Sequence, residues 1–241
     1  IMQYNISPET LQDTRHPSVT VDKILNEELT FEMYKDNAVC ANGAMYRKDV
    51  RGFLPELMEL IYDERKIYKK KMLAAKQAYE KTPTKKLEKE IARCNNIQMA
   101  RKIQLNSAYG AIGNQYFRYY KLANAEAITL SGQVSIRWIE NRMNGYLNKL
   151  LQTESVDYVI ASDTDSIYLN LGPLVDKFLS NRSDNKTKVV ELLDKVCQDK
   201  LEPFIERSYS ELANYVQAYE QKMIMKRENI AERGIWTAKK R

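Results

Sequence analysis

Two long helical patterns, separated by a three-residue break, dominate the middle of this chain. The first runs from Leu54 through Lys81, and the second contains apolar residues at helical spacing from Leu87 to Ile97. The intervening Thr82-Pro83-Thr84 should end the first helix, because proline lacks the amide donor and restricts the residue before it. The pattern therefore predicts two long helices that pair antiparallel as a helical hairpin.

A second pattern consists of two apolar, β-branched stretches with a pair of acidic residues between them. Residues 156–161 and 166–169 are predicted as short strands, with Asp163 and Asp165 at the turn between them. Two acids two residues apart project to the same side of an extended chain, and their repulsion favours a cation between them. Such oxygen ligation suits Mg²⁺ or Mn²⁺. An ordinary polar turn is the alternative, since Asp and Thr are common turn residues.

Other signals are weaker. Asn42-Gly43 predicts a hairpin turn or a loop. Helical periodicity recurs over residues 124–151 and, as a helical pair, over residues 186–218, and alternation predicts a strand over residues 222–226. Helices combined with short antiparallel strands predict the α+β fold class.

Composition excludes several classes of protein. No run approaches the roughly 18 apolar residues of a membrane span, and we expect a soluble, intracellular protein that does not bind a membrane. Three distant cysteines predict reduced thiols, and a single histidine excludes a multi-histidine metal site and argues against Ser-His or Cys-His catalysis. Lys and Arg number 38 against 32 Asp and Glu, and the net charge of +6 favours a polyanionic partner.

One face of the second long helix combines three kinds of side chain. Lys102, Asn106 and Tyr109 are spaced i, i+4 and i+7, and Gly110 follows them. A cation, an amide and an aromatic ring, beside a glycine that lets a bulky group approach the backbone, suit a ligand with phosphate, sugar and base.

The first long helix offers two further cations. Arg65 and Lys69 are spaced i, i+4, and antiparallel helices would let them converge with Lys102 on one polyphosphate. The alternative is a solvated face, which lysines and arginines on long helices usually form.

Three blocks of residues carry a family resemblance. They are Lys102-x-x-x-Asn106-Ser107-x-Tyr109-Gly110, then Asp163-Thr164-Asp165-Ser166, then Lys239-Lys240-Arg241. In order and spacing they resemble the polymerase blocks of family B DNA polymerases, above all those of the replicative enzymes of tailed bacteriophages. Asn5-Ile-Ser-Pro-Glu-Thr10 resembles the stretch just after that family's first catalytic block, and Arg118-Tyr119-Tyr120 also fits. The resemblance covers essentially the whole chain.

The resemblance implies a division into palm and fingers. Residues 1–52 would form an incomplete N-terminal part of the palm, residues 53–112 the fingers, and residues 113–241 the rest of the palm with the Asp-Thr-Asp hairpin on a small antiparallel sheet. The exonuclease and thumb domains would be absent, as would the first block, Asp-x-x-Ser-Leu-Tyr-Pro-Ser, with the other metal-binding aspartate. We therefore expect a fragment that is inactive in isolation, with fingers that are short for the family.

The resemblance also implies a reaction, DNA-directed synthesis of DNA from dNTPs on a primer 3′-hydroxyl during replication. Asp165 would bind two Mg²⁺ ions, which Mn²⁺ could replace, with Asp163 in a secondary role and Glu228 as an additional palm carboxylate near the metals. Six residues would hold the incoming nucleotide: Arg65, Lys69, Lys102, Asn106, Tyr109 and Gly110. Primer-template DNA would contact Lys239, Lys240 and Arg241. A sliding clamp and other replisome proteins would bind through regions of the enzyme that are absent from this chain. The protein would act in the host cytoplasm if the chain is phage-encoded.

Three alternatives remain open at this point. Phosphatases that use Asp-x-Asp-x-Thr are one, although the fifth position here is Ile167. Metal-dependent glycosyltransferases with Asp-x-Asp are another, and they leave the blocks at Lys102 and Lys239 unexplained. The third is a catalytically incomplete segment that binds DNA or nucleotide and needs a partner or the missing N-terminal region.

Overall fold

A computed structural model describes residues 1–178 and 186–236. It divides into two compact units, the first formed by Ile1–Val134 with Ala213–Lys222 and the second by Ser135–Leu212 with Met223–Arg241. Long helices occur with two small antiparallel sheets, so the predicted α+β class is confirmed. Lys239, Lys240 and Arg241 lie outside the described residues, and their predicted role in DNA binding stays a prediction.

The first unit contains one sheet and most of the long helices. Its strands are β1 (Leu11–Arg15), β2 (Asn37–Val39) and β3 (Ala44–Arg47), in the antiparallel order β1-β3-β2. Its helices are α1 (Val21–Leu25), α2 (Phe53–Lys81), α3 (Lys85–Ile112) and the part of α4 (Leu122–Leu151) that precedes Ser135. A 3₁₀ turn covers Glu32–Tyr34.

The turn between β2 and β3 contains the predicted Asn42-Gly43 pair. Gly43 has φ +78°, and a Cβ atom there would lie 2.6 Å from the His16 carbonyl oxygen. Its amide donates to the Cys40 carbonyl at 2.8 Å, which closes the turn. The prediction of a hairpin turn is confirmed, because both the positive φ and the close approach require glycine.

Helices α2 and α3 separate at the predicted break. The Thr84 side chain accepts a hydrogen bond from the Leu87 amide at 3.3 Å and so caps the start of α3. Met72 of α2 and Cys94 of α3 are buried, although most side chains of both helices are exposed. A salt bridge of 2.6 Å joins Glu64 of α2 to Arg101 of α3. The pair is therefore stabilised by its own inner face, as the periodicity predicted.

The start of α2 is capped by residues that lie far away in sequence. Gly52 precedes the helix and has no side chain to bond the free amides. The Glu9 carboxylate accepts from the Phe53 amide at 2.5 Å, and the Ser7 hydroxyl accepts from the Leu54 amide at 3.4 Å. A Cβ atom at Gly52 would lie 2.5 Å from the Ser7 Cβ, so only glycine lets this cap approach.

The second unit contains the rest of α4 and a two-stranded sheet. Its elements are β4 (Val159–Asp163), β5 (Ser166–Leu169), α5 (Gly172–Phe178), α6 (Lys186–Val196), a π-helical turn (Cys197–Leu201) and α7 (Glu202–Tyr215). Buried residues on α4 include Ile139, Met143 and Leu147. The Trp138 indole donates to the Ser208 carbonyl at 2.9 Å and ties α4 to α7. The helical structure predicted over residues 186–218 is present through Tyr215, with α6 and α7 joined directly by the π-helical turn.

The strand predicted over residues 222–226 is wrong. The segment alternates in exposure, with Ile224 78% exposed, but it forms no regular element. No strand of the described residues pairs with it, and an apolar alternation without a partner strand cannot form a ladder of hydrogen bonds.

None of the helices in the described residues is both long and apolar enough to cross a membrane.

Candidate functional site

The two acids of the Asp-Thr-Asp block lie on a sharp turn. Asp163 ends β4 and pairs with Ser166, the first residue of β5. The Asp165 amide donates to the Asp163 carbonyl at 2.6 Å, and Thr164 between them has φ +55°. These features define a γ-turn, so strand alternation alone does not set the direction of Asp165 relative to Asp163. A β-branched residue at positive φ is strained, and such strain often marks a functional site.

Both carboxylates are exposed, and the Thr164 hydroxyl donates to one Asp163 carboxylate oxygen at 3.0 Å. Two exposed carboxylates at one turn fit a hard divalent cation that takes its other ligands from water or a substrate. Across residues 1–178 and 186–236, no three His, Cys, Asp or Glu side chains form a group that could hold a metal ion. Glu228, whose side chain is exposed, therefore does not complete a three-ligand cluster with the pair.

The strand that leads to this turn begins later than predicted. The pattern predicted β structure from Val156, but β4 starts at Val159. The Asn148 side chain of α4 explains the difference, because its amide donates to the Val156 carbonyl at 2.7 Å and accepts from the Val156 amide at 3.0 Å. A helix side chain thus occupies the backbone groups that a neighbouring strand would have used.

Three cations of the helical hairpin, Arg65, Lys69 and Lys102, have no carboxylate partner within the described part of the chain. Neighbouring cations do have one, in the pairs Lys66–Asp63, Arg93–Glu90 and Arg101–Glu64. Exposed lysines on long helices are commonly unpaired, so Arg65 is stronger evidence for a binding site than Lys69 or Lys102. Its Nε atom is buried and has no hydrogen-bond partner among the residues that the structure describes.

The Glu64–Arg101 salt bridge sets the level of these cations along the hairpin. Arg65 and Lys102 are the sequence neighbours of this pair and lie at the same level of α2 and α3. Lys69 lies about one helical turn from Arg65. The salt bridge therefore places these cations at similar levels along the hairpin, and their convergence on one polyphosphate stays a prediction.

The aromatic end of the predicted stripe is held by α4. The Tyr109 hydroxyl and the Thr129 hydroxyl are 2.8 Å apart, and Thr129 donates to the Ala125 carbonyl at 3.0 Å. A Cβ atom at Gly110 would meet no heavy atom within 4 Å. Open space beside a fixed, 43% exposed tyrosine leaves room for a planar ligand. Gly132 has equally open surroundings, so the space permits a ligand without identifying one.

The sequence interpretation missed three polar residues that support these groups. Thr129 holds Tyr109, while Asn144 and Asn148 of α4 bond the backbone that leads into β4. The signal for the asparagines was present, since polar residues spaced i, i+4 interrupt the apolar stripe of α4. Their partners are separated from them by a loop, and helical periodicity does not reveal such contacts.

Comparison with known proteins gives the same family as the sequence blocks. The family model described as DNA polymerase family B matches residues 1–191. The chain is similar to the DNA-directed DNA polymerase of Escherichia phage RB69, with 33% identity over 100% of this chain and 32% of the relative. It is also similar to the DNA-directed DNA polymerase of Enterobacteria phage T4, with 34% identity over 100% of this chain and 32% of the relative. A DNA polymerase of Pyrococcus glycovorans is 33% identical over 52% of this chain and 14% of the relative.

This chain spans about a third of the length of the two phage relatives, 32% in each case. The alignments run over 291 and 295 positions, against 241 residues here, so both relatives carry inserted segments that this chain lacks. The phosphatase and glycosyltransferase alternatives have no support from any of these matches. The resemblance stated from the sequence blocks is confirmed, and the chain belongs to DNA polymerase family B.

Proposed function

We propose that this chain supplies the nucleotide-binding and metal-binding parts of a DNA-directed DNA polymerase. The reaction is the transfer of a nucleotide from a dNTP to a primer 3′-hydroxyl on a DNA template. Similarity along the whole chain to two phage DNA-directed DNA polymerases supports this assignment. Because the chain spans 32% of those relatives, the activity is proposed for an enzyme that contains these residues.

The observation that carries the proposal is the exposed stripe on α3. Lys102 and Asn106 have no hydrogen-bond or carboxylate partner in the described part of the chain, and Tyr109 is fixed by Thr129. With Arg65 and Lys69 they would bind the triphosphate through charge-assisted hydrogen bonds. Tyr109 and the open space at Gly110 would pack against the nascent base pair, so selection would rest on base-pair shape rather than on sequence.

The acidic turn would supply the other half of the reaction. Asp165, with Asp163 beside it, would hold divalent metal, Mg²⁺ or Mn²⁺ on the basis of its oxygen donors. Two such ions, when bound, activate a hydroxyl nucleophile and neutralise charge on the phosphates. The side chains of this chain would contribute position: the γ-turn fixes the direction of the two carboxylates, and the α3 stripe orients the triphosphate.

Replacement of Lys102 by alanine tests the binding half. In a complete polymerase that contains this chain, we expect Lys102→Ala to raise the KM for dNTP and to lower kcat, because the cation would contact the triphosphate in the ground state and more strongly in the transition state. Loss of one charge-assisted hydrogen bond should reduce kcat/KM by about 10- to 100-fold. Steady-state incorporation of a single nucleotide measures both constants.

Lys89→Ala is the matched control. Lys89 is exposed on the same helix, has no partner among the described residues, and lies about 20 Å from Lys102 along α3. Its removal takes the same charge from the helix and should leave both constants unchanged. Equal effects of the two substitutions would show a general charge effect and would contradict a triphosphate site at Lys102.

A further inference from the structure

Helix α4 presents two asparagines, Asn144 and Asn148, to the chain that leads into β4. The Asn144 side-chain oxygen accepts hydrogen bonds from the amides of Tyr158 at 2.9 Å and Val159 at 3.0 Å. Its side-chain nitrogen donates to the Asp157 carboxylate at 2.8 Å. One side chain therefore holds three consecutive residues, and it does so with both a donor and an acceptor.

Asn148 makes the corresponding bonds one helical turn later. Its amide pairs with both backbone groups of Val156, and its oxygen also accepts from the Thr153 hydroxyl at 2.8 Å. Its nitrogen donates to the Asn144 carbonyl at 2.9 Å, so all of its hydrogen-bonding capacity is used. The loop it holds contains Gln152 and Ser155 at positive φ, which non-glycine residues rarely adopt. These bonds offset the cost of that conformation.

The backbone at the start of β4 is distorted, four residues before the acidic turn. Successive amides of an extended strand point in opposite directions, so two consecutive amides can share the Asn144 oxygen only where the strand is distorted. The pairing of β4 with β5 is indeed irregular between Val159 and Ala161. A bulge of this kind redirects the side chains that follow it, and a register slip of one residue would turn them to the opposite face. Asp163 lies only four residues beyond Val159.

The β4–β5 sheet has no third strand within the described residues, and a two-stranded hairpin alone is marginally stable. We propose that Asn144 and Asn148 are positioning residues for the polymerase reaction, which set the register and direction of β4 and thereby the place of Asp163 and Asp165. The inference rests on the proposed function, in which that turn holds the metal. Both asparagines act through residues 156–159, by bonds to their backbone and, for Asn144, to the Asp157 carboxylate.

A reversal of hydrogen-bond roles tests this proposal. Asn144→Asp keeps the acceptor for the two amides but places a carboxylate against the Asp157 carboxylate, which repels it. Adding Asp157→Asn restores one donor and one acceptor with their positions exchanged. In a complete polymerase that contains this chain, we expect the single variant to lose about 10- to 100-fold in kcat with little change in the KM for dNTP, as residues that orient metal ligands do. The double variant should recover most of the loss.

Hydrogen exchange of the same complete polymerase, followed over the residues of this chain, supplies a readout that does not depend on activity. In the single variant, faster exchange should be confined to residues 156–169, and the double variant should restore protection there. Asn141→Asp is the matched control, because Asn141 is exposed on the same helix and bonds nothing in the described part of the chain. It should change neither the exchange pattern nor kcat.

Three results would overturn the proposal. They are an unchanged kcat for Asn144→Asp, a loss of protection that spreads through α4 and its buried residues, and a folded double variant that recovers no activity. The proposed function fails separately: if Asp165→Asn keeps its incorporation rate, the turn is not the metal site. If Asp165→Asn is inactive while Asn144→Asp is fully active, only the positioning role is excluded.

Discussion

The helical hairpin of α2 and α3 and the β-hairpin of β4 and β5 carry the two halves of the proposed site, and they are stabilised in different ways. The helices contain 29 and 28 residues, with their own cap at Thr84 and ion pairs spaced i, i+3. The strands contain 5 and 4 residues, and asparagines of α4 bond the backbone that leads into β4. The cations of the binding face are thus carried by helices that pair with each other, with only Tyr109 of that face bonded to α4, whereas the acidic turn depends on support from elsewhere in its unit.

A buried substitution in the helical hairpin should have the largest effect on stability. Met72 is 8% exposed, and Met72→Ala should cost about 2–4 kcal/mol in the free energy of opening α2 and α3, because it removes buried apolar atoms and leaves a cavity. Leu73 is 47% exposed, and Leu73→Ala should cost less than about 0.5 kcal/mol. Hydrogen exchange of the α3 amides measures the free energy of opening in both variants. Similar costs at the two positions would show that the helices are not held by their shared inner face.

The γ-turn predicts a smaller effect of the opposite sign. Thr164 has φ +55°, and Thr164→Gly removes a steric penalty of about 1–2 kcal/mol while adding about 0.5–1 kcal/mol of chain entropy to the unfolded state. The β-hairpin should therefore gain roughly 0.5–1 kcal/mol, measured from the exchange of β4 and β5 amides. Ser162→Gly, in the extended part of β4, should instead destabilise the hairpin. If Thr164→Gly destabilises the β-hairpin as much as Ser162→Gly does, the turn is not strained.

The smallest expected effect is electrostatic and belongs to the helical hairpin. Arg93 and then Cys94 bond the Glu90 carboxylate and lower its pKa from 4.5 to about 2. Because the pKa is lower in the folded state, the stabilisation is present above pH 4.5 and is lost as pH falls from 4.5 towards 2. The protection factors of the α3 amides, taken relative to intrinsic exchange at each pH, should fall slightly in that window. Glu90→Gln should abolish this part of the pH dependence, and its persistence would assign the effect to another carboxyl group.

The sequence allowed prediction of the elements whose stability is local. Helical periodicity and Pro83 located the end of α2 and the start of α3, and Asn42-Gly43 located the turn between β2 and β3. Both rely on properties of neighbouring residues, which a single sequence displays.

Tertiary hydrogen bonds caused the errors and omissions. Val156 has the composition of a strand residue, but Asn148 of α4 occupies its backbone groups. Residues 222–226 alternate like a strand and find no partner strand among the described residues. The cap of α2 by Ser7 and Glu9 joins residues more than 40 positions apart. Such contacts depend on which distant group competes for the backbone, and local composition does not record this.

We assign nucleotide binding to the helical hairpin and metal-dependent chemistry to the acidic turn. Single-nucleotide incorporation by Asp165→Asn, in a complete polymerase that contains this chain, tests this assignment most directly. The account predicts that kcat falls at least about a thousandfold, or ~4 kcal/mol in the barrier, while binding of primer-template and dNTP stays near the unmodified level. Glu154→Gln, at an exposed carboxylate of the loop before β4, should keep the unmodified rate. An Asp165→Asn enzyme that incorporates nucleotide at the rate of the Glu154→Gln enzyme would contradict the account.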